Sequence, residues 1–364
     1  MKARKLGIKF NGQTGPNNAI TDVKGVEVGY STIIKDEENN SVRTGVTIIL
    51  PRGKSEFKQH NPCYGAWYSL NGNGEMTGIA WVDESGFVEG PIAITNTHSV
   101  GTVHDSIVKY YIDQKVALNW LLPIVAETYD GFLNDVNGFH VQHEHVLHAI
   151  TTASSGSLKE GNVGGGTGMI CHGFKGGTGT SSRVVNISNN SFTVGVLVQA
   201  NYGDRDQLTI RGVSVGPKII GNKIKKGEEK LPIGGKKESS IIVVVATDAP
   251  LLPHQVKKLV KRVPMGISRV GGYAADSSGD IFIGFSTFND FEKKPDENNS
   301  NLMYSVKSLQ NKYMNELYKA TIEATEEAII NALTSAETMT GMHGNTVYVL
   351  PHDQLKELLG IETK

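Results

Sequence analysis

Short apolar runs broken by glycine and proline mark the beginning of the chain, at residues 26–29, 45–50, 78–82 and 90–95. Bounded runs of this kind predict strands, so the chain opens on sheet. From Ser106 the spacing changes. Ile107, Tyr110, Tyr111, Val116, Leu118 and Leu121 recur at helical intervals, which predicts helix within 106–129, with Pro123 placed to start a further one. Residues 181–187 and 192–199 return to strand, the second alternating and β-branched as a half-buried strand should be. At 223–238 the pattern dissolves into KIKKGEEKLPIGGKKE, polar and charged, which predicts an exposed loop. Directly behind it Ser240 is followed by Ile241, Ile242, Val243, Val244 and Val245, the continuous run of a strand buried on both faces. A serine therefore stands where a loop meets a central strand. Beyond it, 254–262 reads as a basic helix, 281–286 as strand, 291–301 as polar loop, and 314–338 as a long helix rich in Ala, Glu and Ile. Strands and helices in this succession predict an α+β fold of sheets covered by helices. The pattern does not specify the strand order.

Composition narrows the range of functions. With 364 residues, 38% hydrophobic and 20% charged, the chain can bury a large core. Lys and Arg number 36 against 37 Asp and Glu, a formal net charge of −1, so no global field favours nucleic acid or an anionic membrane. The expected partner is a small molecule. No segment approaches the ~20 apolar residues of a membrane span, and the N-terminal MKARKLGIKFNGQTG lacks a signal-peptide apolar run. Cys63 and Cys171 form no CxxC pair. A cytoplasmic protein with reduced thiols is expected.

Four groups of residues could carry chemistry. The glycine-rich stretch VGGGTGMICHGFKGGTGTSSR, residues 163–183, could cradle phosphate, but it lacks GxxxxGK[ST], and a tight wall around a site fits it better. His140, His143, His145 and His148 with Glu144 could hold a metal, yet there is no HExxH and histidines on exposed helices are common. Ser240 would be an ordinary serine in an intact chain. Were the bond before it broken, it would gain an α-amine with an unperturbed pKa of about 7.7–8, a base for its own hydroxyl. The fourth group is Glu127 and Tyr129 in AETYDG, Asn201 in QANYG, and Ser278 and Asp280 in SSGD. Each of these alone suits a structural role, an Asn at a strand corner being an ordinary turn residue.

Together these segments resemble the L-aminopeptidase/D-amidase/D-esterases and the β-peptidyl aminopeptidases. The resemblance runs through NAITDVKGVEVGYST, NGNGEMTG, TNTHSVG, LPIVAETYDG, the glycine-rich stretch, GVLVQANYG, SIIVVVATDAPLLPHQ and SGDIFIGFST, ordered blocks that span nearly the whole chain. It implies a four-layer α/β/β/α sandwich like that of N-terminal-nucleophile hydrolases, with different connectivity. It also implies a precursor that cuts itself between Ser239 and Ser240 into a large subunit, 1–239, and a small one, 240–364, which assemble as a homo-oligomer. On this resemblance Ser240 is the nucleophile, Asn201 an oxyanion donor and Tyr129 a second stabiliser of the same intermediate. Glu127 binds the free amino group of a small peptide, amide or ester, and Ser278 with Asp280 orients the nucleophile and shuttles protons. No metal or other cofactor is implied. Two departures stand out: Ser239 occupies a place that Gly or Asn fills in relatives, which could slow cleavage or shift it to the bond before Ser239, and Asp280 occupies one that Glu fills in some. The competing reading is an uncut homologue that binds peptides without catalysis.

Overall fold

Residues 1–36, 40–55, 61–116, 120–227, 239–291 and 303–362 are described by the computed structural model. Two sheets organise them. The smaller consists of β1 (Glu27–Asp36), β2 (Ser41–Leu50), β5 (Ile92–Asn96) and β6 (Ile124–Thr128), in the order β1-β2-β5-β6. The larger consists of β3 (Cys63–Gly72), β4 (Phe87–Val88), β9 (Gly177–Ile187), β10 (Asn190–Asn201), β13 (Ser239–Thr247) and β14 (Ser278–Ser286), in the order β4-β3-β14-β13-β10-β9. Between them in sequence lie two small hairpins, β7 (Ile170–Cys171) with β8 (Phe174–Lys175) and β11 (Thr209–Ile210) with β12 (Val213–Ser214).

Three apolar layers hold these sheets. Successive strand residues face opposite sides, so Ile242, Val244 and Ala246 of β13 meet Ile94, Ile124 and Ala126 of the smaller sheet. Ile241, Val243 and Val245 turn the other way, onto α4 (Pro253–Val260), α5 (Val263–Arg269) and α6 (Met314–Ser335). The outer face of the smaller sheet is covered by Val103 and Ile107 of α2 (Val100–Asp113) and by Val146 and Ala149 of α3 (His143–Thr151). Helix, sheet, sheet, helix is thus the layer order, as expected. The uninterrupted apolar run after Ser240 follows from β13 being central, with a layer on each face and β10 and β14 on its edges.

Two expected elements differ. Residues 78–82 are no strand: Ile79–Ser85 forms helix α1, bracketed by Gly78 and Gly86, both left-handed at φ 72° and 75°. A five-residue apolar run fits either structure, and the capping glycines decide. The strand in this part of the chain is β3. The helix expected within 106–129 stops at Asp113, and 124–128 form β6, parallel to β5 and wholly buried. Pro123 biases the residue before it toward extended backbone, and Ile124, Val125 and Thr128 are β-branched. Most of the expected loops at 223–238 and 291–301 lies outside the described residues. Among the described residues no helix is long and apolar enough to cross a membrane.

Candidate active site

The ends of β10 and β13 bring two of the expected residues face to face. In their antiparallel register Asn201 is opposite Ser240. Asn201 shares a face with Leu197 and Gln199, and Ser240 with Ile242 and Val244; both faces look into the layer between the sheets. Directly opposed residues on one face hold their Cβ atoms about 4.5–5.5 Å apart. Each is only 5% exposed. The Asn201 carboxamide is fixed at both ends, since Oδ1 accepts from Ile170 N–H at 2.8 Å while Nδ2 donates to the Tyr129 carbonyl at 2.9 Å. One Nδ2 hydrogen is left to point elsewhere.

Ser278 and Asp280 sit on β14, which runs parallel to β13 with Ser239 beside Ser278 and Ser240 beside Gly279. Ser278 Oγ donates to Asp280 Oδ1 at 2.6 Å and lies 3.2 Å from Ser239 Oγ. In the uncut strand the pair addresses Ser239, because alternation turns Ser239 toward the helices and Ser240 toward the other sheet. Burial pushes the Asp280 carboxyl up to about 6, against the opposing pull of the Ser278 hydroxyl and the Ile241 N–H. Gly203 N–H also points at Ser239 Oγ, at 3.4 Å.

Glu127 comes from β6 of the other sheet. It is buried rather than solvent-facing as a helical glutamate would be. Its Oε1 accepts from Glu75 N–H at 3.0 Å, and its Oε2 from the Thr97 hydroxyl. Only a glycine separates it from the strand beside Ser240. A Cβ built on Gly74 would lie 3.2 Å from Glu127 Oε1 and 3.4 Å from Gly279 Cα. Gly279 in turn admits this loop, since a Cβ there would strike the Asn73 carbonyl at 2.3 Å. Thr97, Glu75 and Gly74 lie in sequence blocks that pointed to the family, but no pattern singled them out. Tyr129 is half-buried and reaches Asn201 with its carbonyl, while its hydroxyl folds over Gly131, 2.3 Å from where a Cβ would stand.

The other candidates separate. His140 Nε2 meets Asp135 Oδ2 at 3.0 Å, and His145 Nδ1 accepts the Gln142 N–H at the start of α3. No group of three or more His, Cys, Asp or Glu that could hold a metal occurs among the described residues. The glycine-rich stretch forms the wall around Asn201, Gly176 being required because a Cβ there would meet the Ala200 carbonyl at 2.4 Å.

Comparison with known proteins places the chain in a family. The family described as peptidase family S58 matches residues 18–347. A β-peptidyl aminopeptidase of Sphingosinicella microcystinivorans is 48% identical, the match covering 98% of this chain and 91% of that one. A solved β-aminopeptidase from a Burkholderia species superposes with a TM-score of 0.89 at 43% identity and covers 100% of both chains. A solved L-aminopeptidase D-Ala-esterase/amidase of Ochrobactrum anthropi, described as a prototype of the serine aminopeptidases and a new variant of the N-terminal-nucleophile hydrolase fold, also gives 0.89 at 43%, over 99% and 98% of the chains. With its sandwich of two sheets and a buried serine at the head of the central strand, the chain belongs to peptidase family S58 and is a hydrolase of the serine aminopeptidase class.

Proposed function

We propose that the chain cuts itself between Ser239 and Ser240, and that Ser240 then releases N-terminal residues, β-amino acids among them, from small peptides and amides. The observation that carries this is the opposition of Ser240 and Asn201 on one buried face, at the strand end that follows the polar segment 223–238. In the first reaction Ser240 Oγ attacks the Ser239 carbonyl, the C–N bond breaks, and the resulting ester is hydrolysed by water. The products are a carboxylate at Ser239 and an α-amine at Ser240. In turnover that amine takes the hydroxyl proton as Oγ attacks the substrate carbonyl, the proton passes to the leaving amine, and water then hydrolyses the acyl-ester on Ser240, freeing the N-terminal residue and restoring the hydroxyl. Asn201 Nδ2 supports the oxyanion in both steps. Once the bond is cut, Ser239 is free to leave the place opposite Ser278, and the Ser278–Asp280 pair then adjoins the new amine. The β-amino preference is supported by the names of the relatives. Intact mass and N-terminal sequencing of active protein, with rates on β-homoalanine, L-alanine and D-alanine p-nitroanilides, test the proposal; active protein that retains only Met1 as its N-terminus refutes it. Assembly of cleaved units into a homo-oligomer is proposed as well, with exposed Ile112, Trp120 and Leu122 available for burial.

Glu127 gives the reading its selectivity for chain ends. Its carboxylate, lined by Glu75 N–H and Thr97, can pair with a substrate ammonium. Glu127→Gln is expected to raise KM for substrates with a free amino group, by the equivalent of about 1.5–3 kcal/mol, and to change N-acylated ones less. Equal losses on both kinds would remove Glu127 from that role.

Asp280 sets a pH limit. It accepts the Ser278 hydroxyl proton only when ionised, so activity is expected to fall as pH drops through about 6, on top of the limb from the Ser240 amine. The acid limb should steepen from one proton to two, and Asp280→Asn should return it to one. A limb that stays steep in that variant would assign the second proton to Asp130, which is buried and also raised to about 6, and not to Asp280. Stability runs the other way. A carboxyl raised from 3.8 to about 6 contributes stability that is present below pH 3.8 and lost as pH rises through 6.

A further inference from the structure

Lys175 is completely buried, and its Nζ donates to two carbonyls, of Met169 at 2.9 Å and of Gly176 at 3.0 Å. A buried ammonium is costly, and burial lowers its titration to about 7. An apolar side chain would fill the space at less cost. The first of its two acceptors is informative. The Met169 carbonyl also receives the Gly176 N–H at 2.9 Å, and it belongs to the same peptide unit whose N–H, on Ile170, donates to Asn201 Oδ1 at 2.8 Å. Two donors at the carbonyl end polarise that peptide, which strengthens its N–H as a donor. The unit is also held in place: Ile170 pairs with Lys175 across the β7–β8 hairpin, Lys175 N–H donates to the Tyr348 carbonyl at 2.8 Å, and His172 N–H to the Tyr202 carbonyl at 2.7 Å.

We propose that Lys175 is a positioning residue for the reaction: through the Met169–Ile170 peptide it locks Asn201 Oδ1 onto an N–H, which leaves Nδ2 as the end of the amide that faces the oxyanion. An asparagine amide can be turned over with little change of shape. Turned over here, it would set two N–H groups against each other at Ile170 and present an oxygen to the developing negative charge. Lys175 makes the correct orientation the stable one without touching substrate.

The inference rests on Asn201 being the oxyanion donor, and a double-mutant cycle separates the two. Lys175→Met, close to Lys in shape, is expected to lower kcat about tenfold, a fraction of the ~10²–10³ of a directly placed donor, with KM within about twofold. Lys175→Gln, which keeps an N–H donor, should lose less. In an Asn201→Ala background Lys175→Met should change kcat less than about twofold, because there is no amide left to orient. Both variants are checked for a cooperative melt, and Lys175→Gln carries the cycle if Lys175→Met does not fold. An unchanged kcat in Lys175→Met, or a full tenfold loss that persists without Asn201, overturns the assignment. If neither variant folds, Lys175 is a folding residue and the assignment is likewise overturned. If Asn201→Ala itself leaves kcat unaffected, the reading of Asn201 has failed instead.

Discussion

Ser240→Ala is expected to yield a folded, uncut chain of 39.3 kDa with no aminopeptidase activity. One oxygen atom is removed, and the proposed chemistry uses that atom twice. In the precursor it attacks the Ser239 carbonyl; in the mature enzyme it attacks substrate, with the α-amine that the first reaction created as its base. Neither step has a substitute nucleophile. Ser239 Oγ lies on the opposite face, beside Ser278, and cannot attack the carbonyl on its own C-terminal side in the same way. The fold should tolerate the change. Ser240 is held by the β13 ladder and the packing of Ile241 and Ile242, both fully buried, and loss of one hydroxyl costs on the order of 1 kcal/mol, a few degrees of Tm or less in a chain this long. The variant therefore separates chemistry from folding. Ser240→Cys sharpens the result, because a thiol keeps a nucleophile with a pKa near 8.5, so cleavage is expected to persist while turnover is poor in a site arranged around oxygen. Mass spectrometry of each variant, followed by rates on a p-nitroanilide, is the measurement. A Ser240→Ala chain that is still cut at the Ser239–Ser240 bond excludes intramolecular attack by Ser240; one that also turns substrate over refutes the mechanism.

The head of β13 was legible in the sequence because its pattern admits few structures: a polar charged segment, two serines, then apolar residues with no alternation. Because Ile241 to Val245 are all β-branched, the run favours a strand between two layers over a buried helix, and β13 occupies that position. The environment of Glu127 was not legible in the same way. Its neighbours Ile124, Val125 and Ala126 fit a helix as well as a strand, and β6 exists because β5 is beside it to pair with, a contact that local pattern does not contain. Family resemblance supplied the residues but not their facing. Strand parity, which is set by register, turns Ser239 and not Ser240 toward Ser278. Lys175 was hidden for a different reason: in a stretch so rich in glycine, a lone lysine reads as solvated charge, and only the folded hairpin shows it enclosed with its ammonium on two carbonyls.

Asn201→Ala is expected to cost ~10²–10³ in kcat, the usual worth of one oxyanion donor in a water-poor site. The loss should appear equally in kcat and kcat/KM, since the hydrogen bond is made to charge that exists only in the transition state. Self-cleavage should slow as well, because the Ser239 carbonyl develops the same charge when Ser240 attacks it. Part of the effect would be structural: Ala leaves the Ile170 N–H and the Tyr129 carbonyl without their partner, worth about 1–3 kcal/mol of stability. Asn201→Asp distinguishes the two contributions. The carboxylate keeps the shape of the side chain and still accepts from Ile170 N–H, so it repairs one of the two structural contacts, yet it replaces the donor by a negative charge facing the oxyanion. A merely structural Asn201 would make the Asp variant milder than the Ala variant in rate as well as in Tm. An oxyanion donor makes it as slow or slower, by Coulomb repulsion at close range, even where it melts higher. Rates and melting temperatures of the two variants, set side by side, decide between these outcomes, and an Asp variant that recovers activity would take the oxyanion role away from Asn201.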